Sequence, residues 1–131
     1  MIIRTLIDTN VWAWAMTEPQ RLSDIAVNAM DQSREIFVSP VSFYEVSLRA
    51  WLGKWPAMAA RLSELDDSLE RMRFVAAPLD REIMLRAGSL DWDHRDPFDR
   101  MLAATALTMN LRLVSTDTAF DAVPGMPRRI W

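Results

Sequence analysis

Four acidic residues stand where predicted strands end or predicted helices begin. Asp8 closes an apolar run at residues 2–7, and Glu45 lies in the helix predicted after the second strand. Asp99 lies in the first turn of the clearest predicted helix, and Asp117 follows the fourth strand. Carboxylate oxygens are the ligands that Mg²⁺ prefers, and a bound dication can activate water and polarise a phosphoryl oxygen. If these side chains meet, the expected chemistry is metal-assisted hydrolysis of a phosphate ester.

Short apolar strands alternate with amphipathic helices along the chain. The strands are predicted at residues 2–7, 36–38, 74–77 and 111–114, with 129–131 as a candidate edge strand. This alternation favours a three-layer α/β/α architecture, in which helices cover both faces of a central, mainly parallel sheet of four to five strands. No repeat or linker interrupts the pattern, so we expect residues 1–131 to form a single domain.

Capping residues predict where several helices begin. Ser42 and Glu45 have the spacing of a capping box, which predicts a helix from Ser42 to about residue 52. A proline opens a second amphipathic helix, predicted over residues 56–72. Asp96 precedes a proline at the start of the clearest helix, where it is expected to be the N-cap.

The predicted topology brings the four acids to one edge of the sheet. Right-handed crossovers place every strand-to-helix turn at the same edge, and carboxylates gathered there cannot all ionise without a counter-charge. Each acid taken singly has a plainer interpretation as a helix cap or a solvated side chain. Glu45 can complete the capping box of Ser42, and Asp96 can be only an N-cap. The occurrence of four acids at such junctions favours a shared cation site.

Composition excludes several other classes. The net charge is −3, so the chain is not a globally basic nucleic-acid binder, and we expect no DNA binding by the chain alone. It has no cysteine, which excludes disulfides and thiolate metal sites and is typical of a cytoplasmic protein. No apolar run approaches the ~20 residues of a membrane span, and the N-terminus lacks the pattern of a secretory signal.

Four short motifs resemble those of one known family. They are LIDTN at 6–10, SFYEV at 42–46, DPFDRMLAATA at 96–106 and LVSTD at 113–117. In this order, and over nearly the whole chain, they resemble the PIN-domain ribonucleases. The sequence is most similar to the VapC-type toxins of bacterial type II toxin–antitoxin systems.

The resemblance implies an endoribonuclease that depends on Mg²⁺ or Mn²⁺ and hydrolyses phosphodiester bonds in structured RNA such as tRNA or rRNA. It also implies inhibition by a cognate antitoxin and assembly as a homodimer. By motif position, the catalytic and metal-binding acids would be Asp8, Glu45, Asp99 and Asp117. Supporting roles would fall to Asp96, Thr9, Asn10 and Thr116.

Basic residues near the acids are candidates for contacts with substrate phosphates. They are Arg95, Arg100, Arg49 and Lys54. Arg100 has the alternative of an ion pair on the helix surface, which would contribute little stability. His94, the one histidine, is expected to be an exposed loop residue rather than a general base, because nothing in the sequence pairs it with a nucleophile.

Two other functions stay open at this level. A phosphatase of the haloacid-dehalogenase type also begins with a strand and an aspartate, but Asn10 stands where its second aspartate is expected. A non-catalytic PIN-like scaffold that binds protein or RNA is the other alternative. An acidic cleft without metal would repel RNA, which disfavours the scaffold.

Overall fold

A computed structural model describes residues 2–131 of the chain. The strands are β1 (Ile3–Ile7), β2 (Ser33–Val38), β3 (Val75–Ala76) and β4 (Arg112–Val114). The α-helices are α1 (Thr9–Thr17), α2 (Asp24–Gln32), α3 (Pro40–Trp51), α4 (Pro56–Ala59), α5 (Leu65–Met72), α6 (Arg81–Ser89) and α7 (Pro97–Met109). Short 3₁₀ helices span Pro19–Arg21, Leu62–Glu64 and Thr118–Ala122. Among the described helices, none is both long enough and apolar enough to cross a membrane.

The four strands form a parallel sheet in the order β3-β2-β1-β4. The central strand β1 pairs Leu6 with Phe37 of β2 on one side and with Leu113 of β4 on the other. Because all strands point the same way, their carboxyl ends share one edge, as the sequence predicted.

Two apolar cores lie on opposite faces of this sheet. Successive residues of a strand point to opposite faces, so Leu6 packs in a core with Leu102 of α7, whereas Ile7 packs in one with Trp12 of α1 and Val46 of α3. All five side chains are completely buried. The predicted three-layer α/β/α arrangement is therefore confirmed.

The start of α3 differs from its prediction. Ser39, not Ser42, is the N-cap, and its Oγ accepts a hydrogen bond from the Val41 backbone N–H at 3.1 Å. Pro40 takes the first helical position, where its missing N–H costs nothing. Ser42 consequently lies buried inside the helix, and the predicted capping box with Glu45 is wrong.

The helix predicted over residues 56–72 is interrupted. It consists of α4, the 3₁₀ turn Leu62–Glu64 and α5. Met58 and Leu65 are buried, but Leu62 between them is 37% exposed. Apolar spacing alone cannot distinguish one long helix from two short ones whose apolar faces meet the same core.

The C-terminal segment adds to the sheet beside β4. Ile130 forms a single parallel bridge with Val114, so the predicted edge strand at 129–131 is reduced to one bridge. The Ser115 backbone N–H donates to the Ile130 carbonyl at 3.1 Å, and Arg129 Nη1 donates to the Ser115 carbonyl at 2.7 Å.

Candidate active site at the carboxyl edge of the sheet

Asp8 lies where β1 ends and serves as the N-cap of α1. Its Oδ1 accepts a hydrogen bond from the Thr9 backbone N–H at 2.7 Å, and its Oδ2 accepts one from Ser115 Oγ at 2.6 Å. The Asp8 backbone N–H also donates to the Val114 carbonyl at 3.0 Å. The carboxylate is therefore fixed where the neighbouring strands β1 and β4 end.

Ser115 connects Asp8 to Asp117. Besides donating to Asp8, its hydroxyl oxygen accepts a hydrogen bond from the Asp117 backbone N–H at 3.0 Å. Asp117 in turn caps the 3₁₀ helix Thr118–Ala122. Thr116, which was predicted to support the acids, is exposed, and the buried Ser115 makes the contact instead. The alternation of side chains after a strand could have indicated Ser115, because adjacent residues point to opposite sides.

Glu45 approaches the same edge from the second turn of α3. Thr9 Oγ1 donates to Glu45 Oε1 at 3.1 Å and also lies 2.8 Å from Ser42 Oγ. Arg49 Nη1 lies 3.6 Å from Glu45 Oε2, and its guanidinium stacks over the Trp55 ring at 4.2 Å. Thr9 thus contacts a predicted acid, and Arg49 is already engaged within the protein.

Asp99 contacts His94, a partner that the sequence did not predict. His94 Nε2 lies 2.7 Å from Asp99 Oδ2, and the histidine side chain is 33% exposed. His94 lies in a loop as predicted, but it is half-buried and paired with Asp99, so the expected solvent exposure was wrong. Asp96 caps α7 as expected, since its Oδ1 accepts hydrogen bonds from the backbone N–H groups of Phe98 and Asp99 at 2.8 and 3.3 Å.

The guanidinium of Arg100 is hydrogen-bonded to the protein backbone. Its guanidinium donates to the carbonyls of Ala87, Leu90, Trp92 and His94 at 2.7–3.0 Å. It therefore ties α7 to the end of α6 and to the connector between them. The predicted phosphate contact and the alternative surface ion pair are both wrong, because these four bonds use the fork that a phosphate or carboxylate would need.

The remaining candidates lie around the cluster. Arg95 and Lys54 are exposed, and their role as substrate contacts stays a prediction. Asn10 is half-buried in the first turn of α1, and its supporting role also stays a prediction.

The surroundings of Asp8 disfavour its negative charge. Burial raises the pKa of Asp8 above its ordinary value, and the nearby charges of Asp117 and Asp96 raise it further. The hydrogen bonds from Ser115 and Thr9 lower the pKa and only partly offset these effects. The carboxylate is thus held in position, but no cationic group among residues 2–131 forms an ion pair with it.

The pKa values of Glu45 and Asp99 are raised in the same way. Burial raises the pKa of Glu45, and the charge of Asp8 adds to the rise. The pKa of Asp99 is raised to about 6 by burial and by the charges of Asp96 and Asp8, against the lowering effect of His94. These shared charge effects show that the acids converge. A divalent cation fits such a donor set because it would relieve the repulsion.

The sequence matches the model of the PIN domain over residues 5–126. This chain belongs to the PIN-domain family. Over 116 residues, the PIN domain is 33% identical to ribonuclease VapC22 of Mycobacterium tuberculosis, covering 86% of this chain and 85% of that protein. The resemblance seen in the short motifs is confirmed, and the phosphatase alternative no longer applies.

Solved structures share the fold of this PIN domain. VapBC2 from Rickettsia felis, bound to a DNA fragment from its promoter, superposes with a TM-score of 0.72 at 17% identity, covering 98% of this chain and 100% of that one. DNA-bound VapBC from Salmonella typhimurium gives a TM-score of 0.68 at 17% identity, covering 96% of each chain. At these identities, the likeness concerns the fold alone.

Proposed function

We propose that the protein is a metal-dependent endoribonuclease that hydrolyses phosphodiester bonds in structured RNA such as tRNA or rRNA. The observation that carries the proposal is the convergence of mutually repelling carboxylates at the strand ends of a PIN domain. The similarity to a protein named ribonuclease VapC22 supports RNA as the substrate class.

Asp8, Glu45, Asp99 and Asp117 would hold Mg²⁺ or Mn²⁺. When bound, the cation supplies activation of water and stabilisation of negative charge on the phosphate. It would also remove the repulsion between these acids and the RNA backbone. Binding and chemistry should therefore fail together when the metal is withdrawn.

The protein's own groups fix the carboxylates in advance. Ser115 Oγ and the Thr9 N–H hold the two oxygens of Asp8, and Thr9 Oγ1 holds Glu45. Ligands fixed in this way need little reordering when the substrate arrives. Arg95 and Lys54 are the exposed cations proposed to contact the substrate backbone.

A cognate antitoxin and a second copy of the chain are the proposed protein partners. The solved structures with this fold include proteins of toxin–antitoxin systems, which supports an antitoxin as inhibitor. A toxin of this kind would act on cytoplasmic RNA.

The decisive experiment compares purified protein with Asp8→Asn on labelled RNA, with Mg²⁺ and with EDTA. We expect cleavage by the wild-type protein with Mg²⁺ and none with EDTA. Asp8→Asn should lose at least about 100-fold in rate, since losing an outer partner of a metal ligand alone costs ~10–100-fold. Asp31→Asn, which alters an exposed acid of α2, is the matched control and should cleave normally.

Stability separates a lost site from a lost fold. The raised pKa of Asp8 means that its charge opposes folding, so metal-free Asp8→Asn should melt no lower than wild type. Full activity in folded Asp8→Asn would contradict the assignment. No turnover by the wild-type protein with any divalent cation would favour the scaffold alternative.

A further inference from the structure

The imidazole of His94 lies among the proposed metal ligands. A ring nitrogen of His94, a carboxylate oxygen of Asp99 and one of Asp117 all lie within 4.8 Å of one another. Ligand atoms around one six-coordinate cation lie about 3 Å apart when adjacent and about 4 Å apart when opposite. The three atoms therefore have nearly the spacing that a shared cation requires.

Arg100 of α7 and Trp92 of the connector both hold His94 in place. Arg100 Nη1 donates to the carbonyl of His94 itself at 3.0 Å. The Trp92 ring packs against the imidazole, with the ring planes tilted by 34° and the centroids 4.8 Å apart. Trp92 is in turn anchored by its Nε1, which donates to the Ala119 carbonyl at 3.2 Å, and by its contact with the Phe120 ring at 5.5 Å.

This anchoring links His94 to Asp117 through the fold. Ala119 and Phe120 belong to the 3₁₀ helix that Asp117 caps. The connector and the segment after β4 therefore form one packed unit, with His94 and Asp117 at its surface. A histidine that served only as a solvated loop residue would not need such support.

We propose that His94 is a nitrogen ligand of the cation site, acting with Asp99 and Asp117, and that this part of the site prefers a transition-metal dication to Mg²⁺. The inference rests on the proposed function, because it concerns the same metal-dependent site. Mg²⁺ favours all-oxygen surroundings, whereas first-row transition metals accept imidazole. In the metal-free protein, the hydrogen bond to Asp99 keeps Nε2 beside the carboxylate.

Mn²⁺ provides a direct test, because its unpaired electrons report on coordinated nitrogen. Electron spin echo envelope modulation of the Mn²⁺-loaded protein should show ¹⁴N coupling from an imidazole. The chain has one histidine, so in untagged protein that signal can come only from His94. The coupling should disappear in His94→Gln. It should persist in Arg95→Gln, which alters the exposed neighbour.

Titrations with each metal measure the preference. We expect His94→Gln to lose about tenfold in Mn²⁺ affinity while Mg²⁺ affinity changes less than about twofold. Wild-type protein that binds Mn²⁺ without ¹⁴N coupling would overturn the inference and leave the nuclease proposal standing. Failure of the wild type to bind either cation or to cleave RNA would overturn both.

Discussion

The two sides of the acidic site are built by different means. On one side, Asp8 is held by a serine hydroxyl and a backbone N–H, both belonging to the ends of regular elements. On the other side, Asp99 is bonded to His94, which lies in a connector without regular structure. The Asp8 side takes its geometry from the parallel sheet, whereas the Asp99 side depends on one arginine that binds the connector.

This difference determines how each side should respond to substitution. The hydroxyl contacts around Asp8 are small and local, so their loss should affect the chemistry more than the fold. The four carbonyls bound by Arg100 lie along the connector and the end of α6, so their loss should affect the fold. Three substitutions test this contrast.

The largest expected effect comes from Arg100→Ala. Hydrogen bonds from a charged donor are among the strongest, and four buried or half-buried carbonyls would lose their partner. We expect a loss of about 3 kcal/mol in the free energy of unfolding, measured by urea denaturation. Arg95→Ala, on an exposed neighbouring arginine, should change stability by less than about 0.5 kcal/mol. Equal effects of the two substitutions would mean that Arg100 does not support the connector.

Ser115→Ala should cause an intermediate loss, in activity rather than in folding. It leaves Asp8 Oδ2 without the donor that fixes it, and we expect about a tenfold lower rate of RNA cleavage at a fixed Mg²⁺ concentration. Thr116→Ala is the matched control, because Thr116 is exposed and adjacent. Its rate should stay within about twofold of wild type. The reverse ranking of the two variants would restore the role first predicted for Thr116.

The smallest effect should come from Asp99→Asn, as a gain in stability of the metal-free protein. The folded-state pKa of Asp99 is raised from 3.8 to about 6, so the folded chain binds the proton more tightly than the unfolded chain. This contribution to stability is complete below pH 4 and is lost as the pH rises through about 6. The amide side chain of the variant does not ionise, so the variant does not lose this stability as the pH rises.

The stability difference between Asp99→Asn and wild type should therefore be near zero at pH 4 and reach about 1 kcal/mol at pH 8. This value lies below the full shift because Asp99 is partly solvated and the variant weakens the contact with His94. Thermal melts in EDTA at both pH values measure it, and saturating Mg²⁺ should reverse the ranking. A stability difference that does not change with pH would show that the charge of Asp99 does not destabilise the folded protein.

Much of the fold followed from the sequence because its main signals are local. Apolar runs gave the four strands, and Asp96 followed by proline gave the start of α7. The errors occurred where a local pattern had two solutions. Ser39 and Ser42 can both cap a helix near Pro40, and only the buried contact of Ser42 with Thr9 shows which position it occupies.

The candidate site was predictable to a different extent on its two sides. The convergence of the acids follows from strand order, which the alternation of elements indicates. The roles of His94 and Arg100 depend on a connector whose conformation no periodicity describes. Arg100 in particular binds carbonyl groups, and every residue type offers these, so the sequence contains no signal for its partners.

The C-terminal segment contacts Ser115, one of the residues that position Asp8. Both backbone polar groups of Ser115 are bonded to it, the N–H to Ile130 and the carbonyl to Arg129, while the Ser115 hydroxyl holds Asp8. A protein fused after Trp131 would transmit force through these hydrogen bonds to the Ser115 backbone. Reporter or affinity fusions should therefore be joined after Trp131 through a long, flexible linker. A short linker could displace Ser115 and so change the measured rate of RNA cleavage.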